Sequence, residues 1–141
     1  WDQVRADLVE TIKKFEASDL ALEPFPGSWP VGQIMLHIAD AEDGWLRYVV
    51  IGELEEWPRT YTLDHYPDHS AILGLLEEVH SRTLTFLSGL SEEDLEKVVT
   101  APWGGKFTLL WILWHIIEHE IHHRGELSLI LGTLGREGLD V

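Results

Sequence analysis

Apolar residues recur at helical spacing in four long stretches of the chain. In the first, Val4, Leu8 and Ile12 follow one another at steps of four, which is the buried stripe of an amphipathic helix. Together the stretches cover residues 2–18, 28–52, 68–89 and 108–132. No part of the chain shows the sustained apolar and polar alternation of a half-buried strand. The pattern predicts an all-α fold, a four-helix bundle.

Residues at the ends of these stretches resemble helix caps. We expect Asp2 to cap the first helix and Ser28 the second, because their side-chain oxygens can accept from free backbone N–H groups. Asp68 or Ser70 should cap the third helix in the same way, and Thr108 the fourth. The connection over residues 53–69 contains two prolines and no clear period. A connection this long predicts a crossover, so the bundle is not a simple up-down-up-down arrangement.

Composition limits the classes of function. A length of 141 residues suits one domain, residues 1–141, and a net charge of −15 opposes binding to nucleic-acid phosphates. No apolar run approaches the ~20 residues of a membrane-spanning helix, so no membrane partner is expected. The chain has no cysteine, which excludes disulfides and thiolate ligands and fits a cytoplasmic protein.

The positions of the histidines indicate a metal site. His115, His119 and His123 are each four residues apart on the fourth helix, so neighbouring pairs lie on one face and can bind one ion at about 2.0–2.1 Å. His37 lies on the apolar stripe of the second helix. A buried histidine facing a histidine pair makes a three-nitrogen site with open positions, which is the layout of a catalytic metal.

Two zinc-protease patterns overlap on the same helix. Residues 119–123 match H-E-x-x-H, and residues 115–119 match the inverted H-x-x-E-H. Both cannot hold, and a helix rich in His and Glu produces such matches by chance. The extended protease pattern also needs Gly and His where this chain has Glu126 and Leu129.

A two-metal carboxylate bundle is another alternative. It needs E-x-x-H on two helices and a lone glutamate on each of the others. This reading leaves His37 and His119 without a role. The candidate ligands are Glu77 with His80, Glu120 with His123, and the lone acids Glu42 and either Glu10 or Glu16.

The run HEIHHRGE, residues 119–126, resembles the H-x-x-H-H-R-G-[QE] signature of the DinB-like superfamily of metal-binding four-helix proteins. The segment over residues 28–42 is similar to that family's first-ligand segment, and residues 103–105, Trp-Gly-Gly, are similar too. The resemblance covers the order of all four helices. It implies that His37, His119 and His123 bind the metal and that the bundle runs up-down-down-up.

The resemblance also implies a homodimer and one divalent ion, zinc or nickel, with iron or manganese as further options. Members with known activity include bacillithiol- and mycothiol-dependent transferases. We therefore expect a thiol-S-transferase whose metal activates a low-molecular-weight thiol for reaction with a small-molecule substrate. The alternatives are a metal-dependent hydrolase with a metal-bound water and a non-enzymatic metal-binding stress-response protein.

Several nearby polar residues have open roles. Asp40 could orient a ligand imidazole or contact substrate, and we interpret it as an ordinary solvated carboxylate. We interpret His115 as a pocket or structural residue, and His122 as pointing away from the metal. Arg124 either neutralises a carboxylate-bearing thiol or forms a structural ion pair. Glu126 replaces the Gln of many family members, and its carboxylate could bond a ligand histidine.

Overall fold

The computed structural model describes residues 1–138 and has the predicted all-α, four-helix architecture. The helices are α1 (Asp2–Lys13), α2 (Val31–Asp43), α3 (His69–Ser88) and α4 (Leu109–Thr133). Helix α2 continues without a break into wider π-helical turns over Gly44–Ile51 and ends at Gly52, whose positive φ of 72° suits glycine. Short 3₁₀ turns over Ala17–Asp19 and Glu92–Glu96 follow α1 and α3.

Two of the predicted caps are present. The side chain of Asp68 accepts from the Ala71 N–H at the start of α3, and Thr108 accepts from the Trp111 N–H at the start of α4. Asp2 is not a cap, because it is already the first residue of α1 and Trp1 precedes it as the N-cap residue. Ser28 is not a cap, because its hydroxyl bonds the backbone of Phe25 in the preceding turn. Trp29 precedes a proline and is therefore kept out of helical geometry, so α2 begins only after Pro30.

A short hairpin between α3 and α4 was not predicted. Strands β1 (Val98–Thr100) and β2 (Lys106–Thr108) pair antiparallel, with Val99 opposite Phe107. The expectation of no strand is wrong here because each strand has three residues, which is too short for an alternating pattern. The turn between them contains Gly104 with a φ of 91°.

Contacts between helices show the up-down-down-up order. Arg5, early in α1, bonds Glu120 in the middle of α4, and Lys14 just after α1 bonds the carbonyls of residues 137 and 138 beyond α4, so α1 and α4 are parallel. Arg5 also bonds Glu42 near the end of α2, which is therefore antiparallel to α1. Helix α3 is parallel to α2 and therefore antiparallel to α1. Gly32 at the start of α2 lies against Leu63 just before α3, and Asp43 at the end of α2 bonds Arg82 in the second half of α3.

The main core lies between the four helices. It is built from fully buried aliphatic side chains that include Leu8, Ile12, Ile38, Leu76 and Leu127. A second apolar cluster surrounds Trp45 and packs the hairpin and the π-helical extension of α2 against the first half of α4. Among residues 1–138, no helix combines the length and apolar character needed to cross a bilayer.

Candidate metal centre

Three histidines from two antiparallel helices face one another at one side of the bundle. His37 comes from α2, and His119 and His123 come from successive turns of α4. One ring nitrogen of each lies within 4.8 Å of the others, and the Nε2 atoms of His37 and His119 are 3.2 Å apart. Two nitrogens at about 2.0–2.1 Å from a tetrahedral ion stand about 3.3–3.4 Å apart, so this spacing fits a shared ion.

Two carboxylates bond the histidine rings at Nδ1, the ring nitrogen that does not face the centre of the cluster. The Nδ1–H of His37 donates to Asp40 at 3.0 Å, and the Nδ1–H of His123 donates to Glu126 at 2.7 Å. Each acid lies three residues after its histidine, on the same helical face. Because Nδ1 carries the proton, Nε2 keeps its lone pair for a metal. The interpretation of Asp40 as a merely solvated carboxylate is therefore wrong.

Burial favours the neutral form of the two α4 imidazoles, His119 and His123. It lowers the pKa of His119 to about 3, with the charges of His123 and His37 acting in the same direction. Burial also lowers the pKa of His123, although the bond to Glu126 partly opposes this shift. Neutral imidazoles are the form that binds a cation, so the electrostatics of the cluster suit a metal site.

Aromatic side chains frame the three histidines. The Trp29 ring meets the edge of His37 at a centroid distance of 4.8 Å. On the other side, His115 stacks on Trp111 at 4.8 Å and lies 6.3 Å from the His119 ring. His115 is therefore part of the aromatic cluster next to the site and is not in the group that could share an ion.

A surface groove of about 660 Å³ runs beside His123 between α4 and the segment preceding α2. Trp29, Ile34 and Leu129 form apolar parts of its wall, and Glu126 and His122 form polar parts. Arg124 is not among the lining residues and pairs with Asp7 of α1 at 2.9 Å. Its role is that of a structural ion pair between helices.

The two-metal and protease alternatives do not match the geometry. The Arg5 guanidinium bonds both Glu42 and Glu120, His80 bonds Glu42 at 3.1 Å, and all four side chains are buried. A fixed positive charge thus occupies the place between the acids where a second ion would bind. Glu120, also bonded by the Trp1 indole at 2.9 Å, is not available as a base for a protease. Over residues 1–138, only the cluster of His37, His119 and His123 brings ligand atoms close enough for a metal.

Sequence reasoning missed one contact of the site. The Trp57 indole, from the connection between α2 and α3, donates to the second oxygen of Asp40 at 3.1 Å. No spacing rule relates an irregular loop residue to a helical residue 17 positions earlier.

Comparisons with known proteins agree with this architecture. A family model described as the DinB superfamily matches residues 1–127. The Bacillus subtilis protein YizA is 30% identical over 97 residues, which is 67% of this chain and 58% of YizA, so the chain spans less than two thirds of that relative. An Oceanobacillus iheyensis protein named as a candidate metal-dependent hydrolase is 22% identical over 135 residues, covering 89% of this chain and 78% of the relative.

Solved structures share the fold. YfiT from Bacillus subtilis, described as a candidate metal-dependent hydrolase with an unusual four-helix bundle topology, superposes with a TM-score of 0.76 at 23% identity and covers 96% of this chain and 83% of YfiT. A DinB-like protein, YjoA, from the same species has a TM-score of 0.74 at 21% identity and covers 97% of this chain and 90% of its own.

Proposed function

The chain belongs to the DinB superfamily, and we propose that it is a metal-dependent enzyme whose single divalent ion is held by His37, His119 and His123. The observation that carries the proposal is the convergence of one ring nitrogen from each of three histidines, with no fourth protein ligand in the described cluster. Three protein ligands leave a position for a reactant, as in catalytic metal sites. Imidazole donors suit zinc, nickel and iron, and we favour zinc or nickel, with iron or manganese as further candidates.

The ion, when bound, would lower the pKa of a thiol or a water at its open position. The side chains of this protein prepare that position. Asp40 and Glu126 accept hydrogen bonds from the Nδ1–H groups of His37 and His123, so that both rings turn Nε2 towards the open position. The groove beside His123 offers space for a small-molecule substrate, with Trp29 and Leu129 as apolar contacts.

We favour a low-molecular-weight thiol as the nucleophile, which makes the protein a thiol-S-transferase. The chain has no cysteine of its own, so the thiol has to be supplied. Because Arg124 is paired with Asp7, the described lining of the groove has no arginine or lysine and contains the carboxylate Glu126. This lining favours an uncharged or cationic thiol over one with several carboxylates.

Hydrolysis is the second candidate, with water in place of the thiol. It is favoured by the names of the similar proteins from O. iheyensis and B. subtilis, which call them candidate metal-dependent hydrolases. Both reactions use the same three histidines, so the site geometry supports them equally. They differ only in the nucleophile.

One set of assays separates these functions. We expect about one ion per chain in untagged protein, lost in His37→Ala, His119→Ala and His123→Ala but kept in the control His122→Ala, an exposed neighbour. A transferase should consume 2-mercaptoethanol with 1-chloro-2,4-dinitrobenzene, forming the C–S bond and releasing chloride, only with metal bound. A hydrolase should cleave 4-nitrophenyl acetate without thiol. Metal binding with neither activity would favour the non-enzymatic stress-response alternative, and absence of metal would overturn the proposal.

We also propose that two copies associate through the outer face of α4. Leu110, Trp114 and Ile121 lie on one stripe of this helix and are 49%, 59% and 40% exposed. Large apolar side chains grouped on one surface are typical of protein interfaces. A symmetric pairing would cover the same stripe on both copies.

A further inference from the structure

The loop between α2 and α3 is tied to the end of α2 by one tryptophan. Trp57 is partly buried, whereas Glu55, Glu56 and Arg59 around it are exposed. Its indole meets the edges of Trp45 and Tyr48, each at a centroid distance of 6.2 Å. The loop is therefore anchored at this position by a side chain that turns inward.

Gly44 makes room for this indole. A Cβ at Gly44 would lie about 2.5 Å from ring carbons of Trp57, which is closer than packed atoms come. Gly44 is also the residue at which α2 passes into its π-helical turns. The absence of a side chain there allows the indole to lie against the helix backbone, one turn beyond Asp40.

The indole N–H completes a chain of hydrogen bonds to the histidine cluster. Trp57 donates to Oδ1 of Asp40 at 3.1 Å, and Oδ2 of Asp40 accepts from Nδ1 of His37 at 3.0 Å. A carboxylate held by one bond can rotate about its Cβ–Cγ axis, whereas two bonds on different oxygens fix its plane. The plane of Asp40 in turn sets the direction in which His37 presents Nε2.

We propose that Trp57 is a positioning residue of the metal site and that it acts through Asp40. This inference rests on the proposed metal function of His37, His119 and His123. Trp57 itself does not touch the ion or the substrate. It lowers the number of orientations available to Asp40 and His37 before metal binds, which strengthens binding without adding a ligand.

The test is a double-mutant cycle read as metal affinity. Trp57→Phe keeps an aromatic ring at this position but removes the N–H donor together with part of the fused ring that packs on Gly44. Asp40→Ala removes the bond to His37. Zinc is titrated into metal-free protein against a chromophoric chelator. We expect Trp57→Phe to raise the Kd about 3- to 10-fold and Asp40→Ala about 10- to 100-fold, as for other partners of metal-binding histidines. The double variant should bind no more weakly than Asp40→Ala alone.

Control variants separate positioning from packing. Trp114→Phe changes an exposed tryptophan away from Asp40 and should leave the zinc Kd unchanged. Gly44→Ala leaves Trp57 and Asp40 unchanged in sequence but displaces the indole, so it should also weaken zinc binding. It serves as the test variant where Trp57→Phe is too unstable to measure. In the cobalt-loaded protein, the visible absorption bands should shift in Trp57→Phe and not in Trp114→Phe.

Two results would overturn the inference. One is a Trp57→Phe protein that binds zinc as tightly as wild type with unchanged cobalt bands. The other is a loss of affinity of the same size in the presence and absence of Asp40, because Trp57 would then act by packing alone. A wild-type protein that binds no metal would instead contradict the proposed function itself.

Discussion

His119 is held neutral by its surroundings rather than by a single partner. Burial is the largest cause of its low pKa, and the imidazoles of His123, His37, His115 and His122 add to it. An imidazole that remains neutral at pH 5 still offers its lone pair when an ordinary histidine, with a pKa of about 6.5, is protonated. The same property makes the metal-free protein sensitive to acid.

We predict that the metal-free protein loses stability as pH falls from about 6.5. Unfolding restores an ordinary pKa to His119, so below pH 6.5 the unfolded state binds more protons than the folded state, whose pKa is about 3. For one such group the free energy of unfolding decreases by up to about 1.4 kcal/mol per pH unit over this range. Thermal unfolding at pH 7, 6, 5 and 4.5 should show a steeper fall of Tm in wild type than in His119→Gln. Parallel curves for the two proteins would contradict the prediction.

At the residue scale, the sequence predicted the contacts between residues three or four positions apart on one helix and did not predict contacts between distant segments. Helical spacing made His115, His119 and His123 candidates beside His37, and the resemblance of residues 119–126 to the DinB-like signature selected the three that the structure brings together. The bond considered for the Glu126 carboxylate is also present, to His123 three residues earlier on the same helix. The partner of Arg124 could not be chosen in advance, since Asp7 lies 117 residues away in the sequence.

At the scale of elements, α4 matters most because it carries two of the three histidines. Thr108 is both the last residue of β2 and the N-cap of α4, so it joins the hairpin to this helix. Its hydroxyl accepts from the Trp111 N–H at 3.2 Å. This bond satisfies one of the free N–H groups of the first helical turn.

We predict that Thr108→Ala lowers the free energy of unfolding by about 1 kcal/mol, which is the usual cost of losing a cap. For a chain of this size, that corresponds to a decrease in Tm of about 2–4 °C. Thr108→Ser keeps the hydroxyl and should unfold close to wild type, so the difference between the two variants isolates the cap. Equal Tm values for Ala and Ser would show that the hydroxyl contributes nothing.

Three features of the secondary structure were not predicted: the start of α2, the wider turns at its end and the hairpin before α4. Ser28 has the residue type of a helix cap, yet α2 starts only after Pro30 because the residue before a proline avoids helical geometry. The apolar stripe of α2 could not show that residues 44–51 adopt wider turns, since both kinds of helix bury one side. The hairpin before α4 is held by pairing between strands, which no local pattern records.

For the whole molecule, a buried ionic network links the four helices. Arg5 of α1 bonds Glu42 of α2 and Glu120 of α4, and His80 of α3 bonds Glu42. Removing the arginine would leave two carboxylates buried without their cation, a strongly unfavourable state. The network thus favours one arrangement of the helices, and that arrangement places α2 and α4 with their histidines facing each other.

The outer side of α4 supplies the last prediction. We expect wild-type protein to sediment as a dimer at micromolar concentration and Trp114→Glu to sediment as a monomer with unchanged helical content, because a carboxylate in the centre of an apolar interface loses its hydration. Leu84→Glu is the matched control, since Leu84 is 41% exposed on α3, away from the stripe, and should stay dimeric. A monomeric wild type, or dimers in both variants, would exclude this face of α4 as the contact between copies.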